Sequence, residues 1–170
     1  INDKNPDDKQ YLGNGLPDYY INWNNTFRYK SFTLDIGMSG AFGFQILNMD
    51  RMFHANPEAI LIANALHELI EPVYGKRTLN ITQPRVYVSH YIEDGDYLNI
   101  DNATLAYNLR PQGGFVKNLQ LFLNGFNLVT FTGYSGIDPE VNVLGLSPGR
   151  DEKRKYPKTM SFSLGAEITF

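Results

Sequence analysis

The chain has 170 residues and a net charge of −3, with 15 Lys and Arg against 18 Asp and Glu, and 14% of its residues are aromatic. It contains no cysteine, which excludes a disulfide framework and a thiolate metal site. No apolar run approaches the roughly 20 residues of a membrane-spanning helix. The basic residues are scattered except for Arg150, Lys153, Arg154 and Lys155, so the charge pattern gives no support to nucleic-acid binding.

Two alternating runs follow a polar, loop-like segment at residues 1–15. The first run extends from Tyr19 to Lys30, with mostly apolar side chains at odd positions and polar side chains at most even positions. A short turn leads into the second run, Phe32 to Phe42. Because a period of two gives a strand one apolar and one polar face, the two runs predict a tight β-hairpin.

Residues 43–96 interrupt the alternation and carry one helix signal. Asn56 is predicted to be the N-cap and Pro57 the first helical residue. The helix is then predicted to continue over Ala59 to Ile70 and to end before Pro72. A loop of this length is unusual in a compact domain. Long loops on one side are, however, typical of outer-membrane barrels.

Alternation returns over Tyr97 to Leu109 and again from Lys117, where it blurs beyond Gly125. A second long irregular segment, residues 133–157, then precedes a terminal alternating run from Thr159 to Phe170. The length of this last run fits the roughly 9 to 11 residues of a tilted membrane-spanning strand.

The connections between these five predicted strands are alternately tight and long. Outer-membrane barrels have short periplasmic turns and long extracellular loops, so the sequence predicts an all-β fold, a transmembrane antiparallel β-barrel with long extracellular loops, one containing a short helix. Five strands cannot close a bacterial barrel, which uses an even number from about eight upward. We therefore expect part of a larger barrel. A soluble carbohydrate-binding β-sandwich module is the alternative that also explains the aromatic residues.

Two blocks of the sequence resemble the SusC/RagA family of TonB-dependent outer-membrane transporters. Residues 91–109, YIEDGDYLNIDNATLAYNL, are similar to the family's YIEDGSYLRLKNVTLGYTLP block. Residues 124–140, NGFNLVTFTGYSGIDPE, are similar to its GQNLFTFTKYSGYDPE block. The blocks occur in the family's order, and the resemblance extends from about Gly13 to Phe170.

The resemblance implies that residues 1–170 are the last five strands of a 22-stranded barrel with a plugged lumen. It places the plug and the TonB-contacting segment upstream of Ile1, and the absence of a secretion signal fits a mature or truncated chain. It also implies import of large nutrients, oligosaccharides or peptides, through the bacterial outer membrane. The implied partners are a SusD-like surface lipoprotein, the TonB complex, the rest of the same barrel and the surrounding lipid.

The polar face of the predicted strands supplies the candidate ligand contacts, because the apolar face is expected to meet lipid. These candidates are Asn22, Asn24, Arg28, Asp35, Asn102, Asn118 and Gln120. Asn and Gln side chains both donate and accept hydrogen bonds, so they fit a sugar and a peptide equally well. The aromatic residues near strand ends are interpreted as interface girdles: Tyr19, Trp23, Tyr29, Phe32, Tyr107 and Phe170.

Two further sets of residues are assigned roles from the family's architecture. Contacts to the partner lipoprotein are predicted for Tyr134, Asp138, Glu140 and Arg150, the alternative being a charged, solvated loop. The terminal aromatic and aliphatic residues resemble the assembly signal of outer-membrane barrels: Phe162, Ile168 and Phe170.

The remaining motifs do not favour catalysis, a metal or a cofactor. The sequence His67-Glu68-Leu69-Ile70-Glu71 lacks the second histidine of a zinc-protease helix. The acids Glu93, Asp94, Asp96 and Asp101 do not have the spacing of a calcium-binding loop. No nucleophile lies beside a base in the sequence, so we predict that the chain is not an enzyme.

Overall fold

The computed structural model describes residues 9–72, 88–111, 113–141, 147–151 and 156–170, and the chain divides into two compact units. The sheet unit comprises Tyr19–Phe42, Tyr97–Thr132 and Lys158–Phe170. The loop unit comprises the remainder: Ile1–Asp18, Gly43–Asp96 and Gly133–Pro157. The two long segments predicted as loops therefore belong to one compact unit.

The described residues form strands, one α-helix and three short 3₁₀ helices. The strands are β1 (Tyr19–Tyr29), β2 (Phe32–Phe42), β3 (Gln45–Asn48), β4 (Ile92–Asp94), β5 (Tyr97–Leu109), β6 (Asn118–Thr132), β7 (Arg150–Asp151) and β8 (Ser161–Thr169). The α-helix α1 is Met49–His54, and the 3₁₀ helices are Pro57–Leu61, His67–Ile70 and Ser89–Tyr91. No helix in the described ranges is long and apolar enough to cross a membrane.

The sheet unit is a single five-stranded antiparallel sheet with the order β1-β2-β5-β6-β8. Its register begins at the hairpin, where Tyr29 lies opposite Phe32, and Phe32 in turn lies opposite Tyr107. The hairpin turn needs a left-handed residue, and Lys30 adopts a φ of 52° there. All five predicted strands are present, and the order along the chain is as expected for an antiparallel barrel wall.

One face of this sheet is apolar and exposed. Trp23 is 58% exposed and Leu164 is 83% exposed. Soluble proteins rarely leave large contiguous apolar patches in water, and a β-sandwich would bury this face against a second sheet. The exposed face therefore argues against the soluble β-sandwich and fits a wall that faces lipid.

Two β-bulges interrupt the ladder in the middle of the sheet. Gly37 pairs with Asn102 but Met38 pairs with Ile100, which leaves Asp101 as an extra residue on β5. On β6, Asn127 and Leu128 together oppose Asp101, and Asn127 has a φ of 51°. A bulge shifts the alternation by one residue, which explains why the sequence pattern blurs beyond Gly125 although the strand continues.

The loop unit has a three-stranded sheet of its own, with β3 antiparallel to β4 and parallel to β7. Its core is formed by Met52, Ala55 and Tyr91. The partly buried side chains packed against that core are Leu47, Met49 and Val88. The helix α1 begins at a true N-cap, since the Asn48 side chain accepts a hydrogen bond of 2.8 Å from the Arg51 N–H.

The predicted helix over Ala59 to Ile70 is wrong, although its cap is correct. Asn56 accepts a hydrogen bond from the Glu58 N–H at 3.1 Å, but two separate 3₁₀ helices, Pro57–Leu61 and His67–Ile70, follow instead of one α-helix. This segment has apolar residues at consecutive positions. In a helix they would be distributed around the whole circumference instead of forming the one apolar stripe that packs against a core. A backbone bond of 2.9 Å from Leu66 to His54 holds the following residues outside a continuous helix.

Candidate functional site

Polar side chains are aligned in rows across the sheet unit. Residues directly opposite each other on neighbouring strands share a face, so the register assigns each residue to a face and a row. All seven predicted ligand contacts lie on the same, polar face: Asn22, Asn24, Arg28, Asp35, Asn102, Asn118 and Gln120. The structure thus brings these residues onto one surface, while their role as ligand contacts stays a prediction.

The row that crosses all five strands at the bulges is here called the central row. It consists of Asn24, Gly37, Asn102, Phe126 and Ser161. A Cβ atom added to Gly37 would lie 2.8 Å from Asn102 Nδ2 and 3.0 Å from Asn24 Oδ1. The two carboxamides therefore converge over the glycine, which is the close approach that a glycine in a strand permits.

Phe126 is the functional candidate that the sequence did not identify. It lies opposite Asn102 and Ser161 on the polar face and is 45% exposed. Most apolar residues of the strand occupy the other face. Of the two rings that β6 places on the polar face, Phe122 lies over Gly165, whereas Phe126 is exposed. The available signal was the break in alternation at this position, which the sequence alone could not distinguish from the end of a strand.

The row beside the central row is internally hydrogen-bonded. Thr26 donates its hydroxyl to Asp35 across β1 and β2. Asn124 Nδ2 donates to Ser163 Oγ at 3.3 Å across β6 and β8. Because Asp35 already accepts a bond from a neighbour, its carboxylate belongs to the wall and offers less capacity to a ligand than the prediction assumed.

The loop unit contains a second polar cluster, centred on Arg51 of α1. Its guanidinium makes a two-bond contact with Glu68, with Nε to Oε2 at 2.7 Å and Nη2 to Oε1 at 2.5 Å. Nη1 also donates to Glu93 Oε1 at 3.0 Å, and His90 Nε2 lies 2.7 Å from Glu68 Oε1. Arg51 is fully engaged by protein carboxylates, so it is not available to bind an anionic ligand.

Glu93 connects this cluster to other parts of the loop unit. Its carboxylate accepts hydrogen bonds from Asn48 Nδ2 at 3.1 Å, and from Ser135 N and Oγ at 2.8 Å each. The sequence offered Glu93 only as one member of an acidic turn. The structure shows a carboxylate that holds together segments far apart in the chain.

These contacts fix the charge states of the cluster. The hydrogen bond from Arg51 lowers the pKa of Glu68, more than burial raises it, and His90 adds to the effect. Burial raises the pKa of Glu93, but hydrogen bonds from Ser135, Arg51 and Asn48 outweigh it, and the pKa lies below its ordinary value. The bond to Glu68 raises the pKa of Arg51 against the opposing effect of burial. Both carboxylates and the guanidinium are therefore charged at neutral pH.

A cavity of about 690 Å³ opens beside the cluster, within the loop unit. Its lining includes Asp50, Glu71, Ser135 and Ile137 in addition to the cluster residues. The Ser135 hydroxyl donates to Glu93 and so has no histidine base beside it within the described residues. Within the same residues no group of three or more His, Asp or Glu side chains could hold a metal ion. The contacts of this cluster join segments of the loop unit to one another.

Curated proteins similar in sequence to this chain are TonB-dependent receptors. TonB-dependent receptor P3 of Formosa agariphila is 28% identical over 179 residues, covering 96% of this chain and 17% of that receptor. Receptor P26 of the same organism is 26% identical and covers 96% of this chain and 18% of the receptor. The predicted resemblance to TonB-dependent receptors is confirmed. The chain spans about a sixth of the length of these relatives. No family model matches the sequence.

Solved structures share the fold of this chain. The RagAB peptide importer in its closed-closed state has a TM-score of 0.77 at 21% identity, covering 95% of this chain and 18% of that chain. A second structure, of the RagAB peptide transporter, has a TM-score of 0.70 at 21% identity, covering 93% of this chain and 18% of that chain. The predicted all-β barrel fold is confirmed.

Several of the side chains predicted to contact a partner lipoprotein lie inside the loop unit of this chain. Tyr134 and Asp138 are each 6% exposed. The Tyr134 hydroxyl donates to Asp151 at 2.5 Å, and burial together with that carboxylate raises the pKa of Tyr134. Asp138 accepts a bond of 2.9 Å from the N–H of Glu140, and Arg150 Nη2 contacts Met49 Sδ at 3.3 Å. A partner contact by this segment stays a prediction, but these side chains stabilise the loop unit itself.

The three predicted assembly residues lie on the apolar face of the sheet unit. Phe162, Ile168 and Phe170 are exposed, and the ring of Phe170 lies 5.1 Å from that of Phe115. This placement is what an assembly signal at a lipid-facing terminal strand requires. Their role in assembly stays a prediction.

Proposed function

We propose that this chain forms the last five strands of a 22-stranded outer-membrane barrel that imports large nutrients, oligosaccharides or peptides. One observation carries the proposal: a five-stranded antiparallel sheet exposes an apolar face on one side and a polar face on the other. Only a wall between lipid and an aqueous lumen needs both faces exposed. The outer edges of β1 and β8 have no strand beside them among the described residues, and lipid does not tolerate open edges. Further strands of the same barrel pair there.

The energy source and partner of the proposed transporter follow from its relatives. The relatives are TonB-dependent receptors by name, and we propose that TonB also energises this protein, through residues outside this chain. A SusD-like lipoprotein is proposed to bind the loop unit on the extracellular side. The chain contributes transport and partner contacts, and no catalysis.

Deleting the gene in its native bacterium tests the transport proposal. The protein should fractionate with the outer membrane, and the deletion strain should lose growth on a subset of oligosaccharides or peptides supplied as the sole nutrient. Inactivation of TonB should give the same nutrient phenotype. Recovery of the protein in the soluble fraction, or unchanged growth on every nutrient, would contradict the proposal.

An exposed aliphatic segment of the loop unit supports the lipoprotein contact. Leu61 is 69% exposed and Ile62 is 70% exposed, beside the exposed carboxylate of Glu58. Apolar surface of this kind on an extracellular loop is stabilised when a partner covers it. The buried side chains of Tyr134 and Asp138 cannot offer such a surface.

Replacing both aliphatic residues, Leu61→Gln with Ile62→Gln, should reduce the amount of lipoprotein that co-purifies with the protein in detergent by about tenfold. The lipoprotein is identified by mass spectrometry as a lipid-modified protein of the SusD-like class. Leu16→Gln is the matched control, because Leu16 is also an exposed aliphatic residue of the loop unit. Equal co-purification from the double variant and the control would show that the segment does not bind the partner.

A further inference from the structure

We propose that the central row binds one pyranose ring of an uncharged oligosaccharide, with the ring stacked on Phe126 and its hydroxyls bonded to Asn24 and Asn102. The inference rests on the proposed transport function and narrows its cargo from two classes to one. Nothing in the sequence pattern distinguishes these classes, because the amides alone suit both.

Phe126 supplies the first part of the argument. An exposed aromatic ring on a polar wall has a free π-face, and the C–H face of a pyranose is an apolar surface that covers such a ring. The neighbouring positions on either side are Asn102 and Ser161. One aromatic platform flanked by a few hydrogen-bonding groups is the usual composition of a small-molecule subsite.

The two carboxamides supply the second part. They converge over Gly37, whose missing side chain leaves the space that their amide groups occupy. A carboxamide offers a donor and an acceptor side by side, and each sugar hydroxyl is both a donor and an acceptor. The pair Asn24 and Asn102 therefore matches adjacent hydroxyls of one ring.

The bulges supply an independent third part. The ladder irregularities at Asp101 on β5 and at Asn127 and Leu128 on β6 both adjoin the central row. Bulges re-aim side chains and are common near binding and active sites. Here Phe126 is the last residue of β6 before the irregularity, and Val129, in the next pairing, lies in register with Ile100 of the apolar side.

Charge decides between the two cargo classes. None of the five residues of the central row is ionisable, and Asp35, the carboxylate of the adjoining row, already accepts a hydrogen bond from Thr26. A peptide brings charged termini and side chains whose desolvation would need charged partners. The row offers none, so an uncharged saccharide fits it better.

Isothermal titration of the intact protein in detergent tests the site. The probes are four neutral hexasaccharides: maltohexaose, cellohexaose, mannohexaose and xylohexaose. At least one should bind, and Phe126→Ala should weaken that binding about tenfold or more, which corresponds to about 1.4 kcal/mol. Phe126→Tyr should bind within about threefold of the wild type, because it keeps the ring. Asn102→Ala should also weaken binding.

The matched control is Phe131→Ala, since Phe131 is an exposed ring of the same strand on the apolar face. Its affinity should equal that of the wild type. Failure of all four hexasaccharides to bind, or equal affinity in Phe126→Ala and wild type, would overturn the inference. A lowered thermal midpoint in Phe126→Ala with unchanged affinity would show that Phe126 packs against another part of the protein, and would overturn it too.

The outcome for this site is separable from the outcome for transport. If deletion of the gene abolishes the uptake of peptides only, and no hexasaccharide binds, the saccharide site is overturned and the transport function stands. Saccharide binding that requires Phe126, with growth unaffected by deletion of the gene, would retain the site and contradict transport.

Discussion

Glu93 shows how much of the loop unit depends on a single side chain. Its carboxylate bonds to Asn48, Arg51 and Ser135, which lie 45, 42 and 42 residues away along the chain. The residues that follow Glu93 are two acids and a glycine, and this pattern predicts a solvated turn. A partner so distant in sequence is determined by the tertiary fold, so this residue could not be identified from a motif.

The loop unit should lose stability when the medium is acidified. The pKa values of Glu68 and Glu93 lie below the ordinary 4.5 in the folded protein, so their contribution to stability is complete above about 4.5 and is lost as pH falls through the folded values. Arg51 contacts both carboxylates, and His90 contacts Glu68. Hydrogen-exchange protection factors of the β3 amides should therefore be constant from about pH 7 to 5 and decrease below about pH 4.

Glu93→Gln checks the origin of this pH dependence. The variant should destabilise the loop unit by about 1–3 kcal/mol at neutral pH and show a smaller decrease on acidification. Glu71→Gln is the control, because Glu71 is exposed and makes only a 3.9 Å pair with His67. A wild-type protection profile that does not change between about pH 5 and pH 3 would contradict the assignment.

At the scale of elements, the strands were predictable and their irregularities were not. A period of two defines β2 along its whole length and β5 from Asn102 onward, because the two faces of the sheet differ in polarity there. The bulge at Asn127 depends on pairing with Asp101 of another strand, so one strand's pattern cannot reveal it. The prediction of a helix over Ala59 to Ile70 was wrong for a related reason: tertiary hydrogen bonds, such as that from Leu66 to His54, override local helix propensity.

The contact between β6 and β8 gives a test at this scale. A Cβ atom on Gly165 would lie 2.3 Å from Phe122 Cζ, so Gly165→Ala should destabilise the sheet unit by about 1–3 kcal/mol through overpacking. Heat-dependent mobility on gels, in detergent extracts, measures this loss. Phe122→Leu in the same chain should restore much of the stability.

Gly133→Ala is the matched control for this strand contact, because a Cβ atom there meets nothing within 4 Å. Its stability should equal that of the wild type. If Gly165→Ala were as stable as Gly133→Ala, the aromatic ring would move aside without cost and the proposed packing constraint would not exist.

For the whole molecule, alternation and connection length were sufficient to predict a membrane-facing sheet. The loop unit was predicted only as long loops, and neither its core nor its small sheet could be anticipated. Its β3 and β7 pair across about a hundred residues of chain, as Leu47 with Arg150. The burial of Asp138 could not be anticipated for the same reason: a polar residue is exposed in a simple loop and can be buried in a packed one.

Replacement of the terminal residue tests the assembly of the whole barrel. Phe170→Asp should reduce the outer-membrane level of the protein several-fold, because a charge at the lipid-facing end would disrupt recognition of the terminal strand. Quantitative blotting of membrane fractions measures the level. Phe170→Tyr should be close to wild type.

Phe115→Ala separates an assembly signal from a local contact, since it removes the ring that lies beside Phe170. It should leave the outer-membrane level unchanged. Normal assembly of Phe170→Asp, or an equal loss in Phe115→Ala, would argue against a specific signal at the terminus.

The compact loop unit has a consequence for how such proteins diversify. The segments 43–96 and 133–157 are joined by the pairing of β3 with β7 and by the hydrogen bonds from Ser135 to Glu93, so they must change together to remain folded. Recombination that exchanges only one segment would break these contacts, whereas joint exchange would leave every residue of the sheet unit in place. New surface properties would then be inherited as linked pairs of segments, and a chimaera built in that way should be tolerated by the barrel.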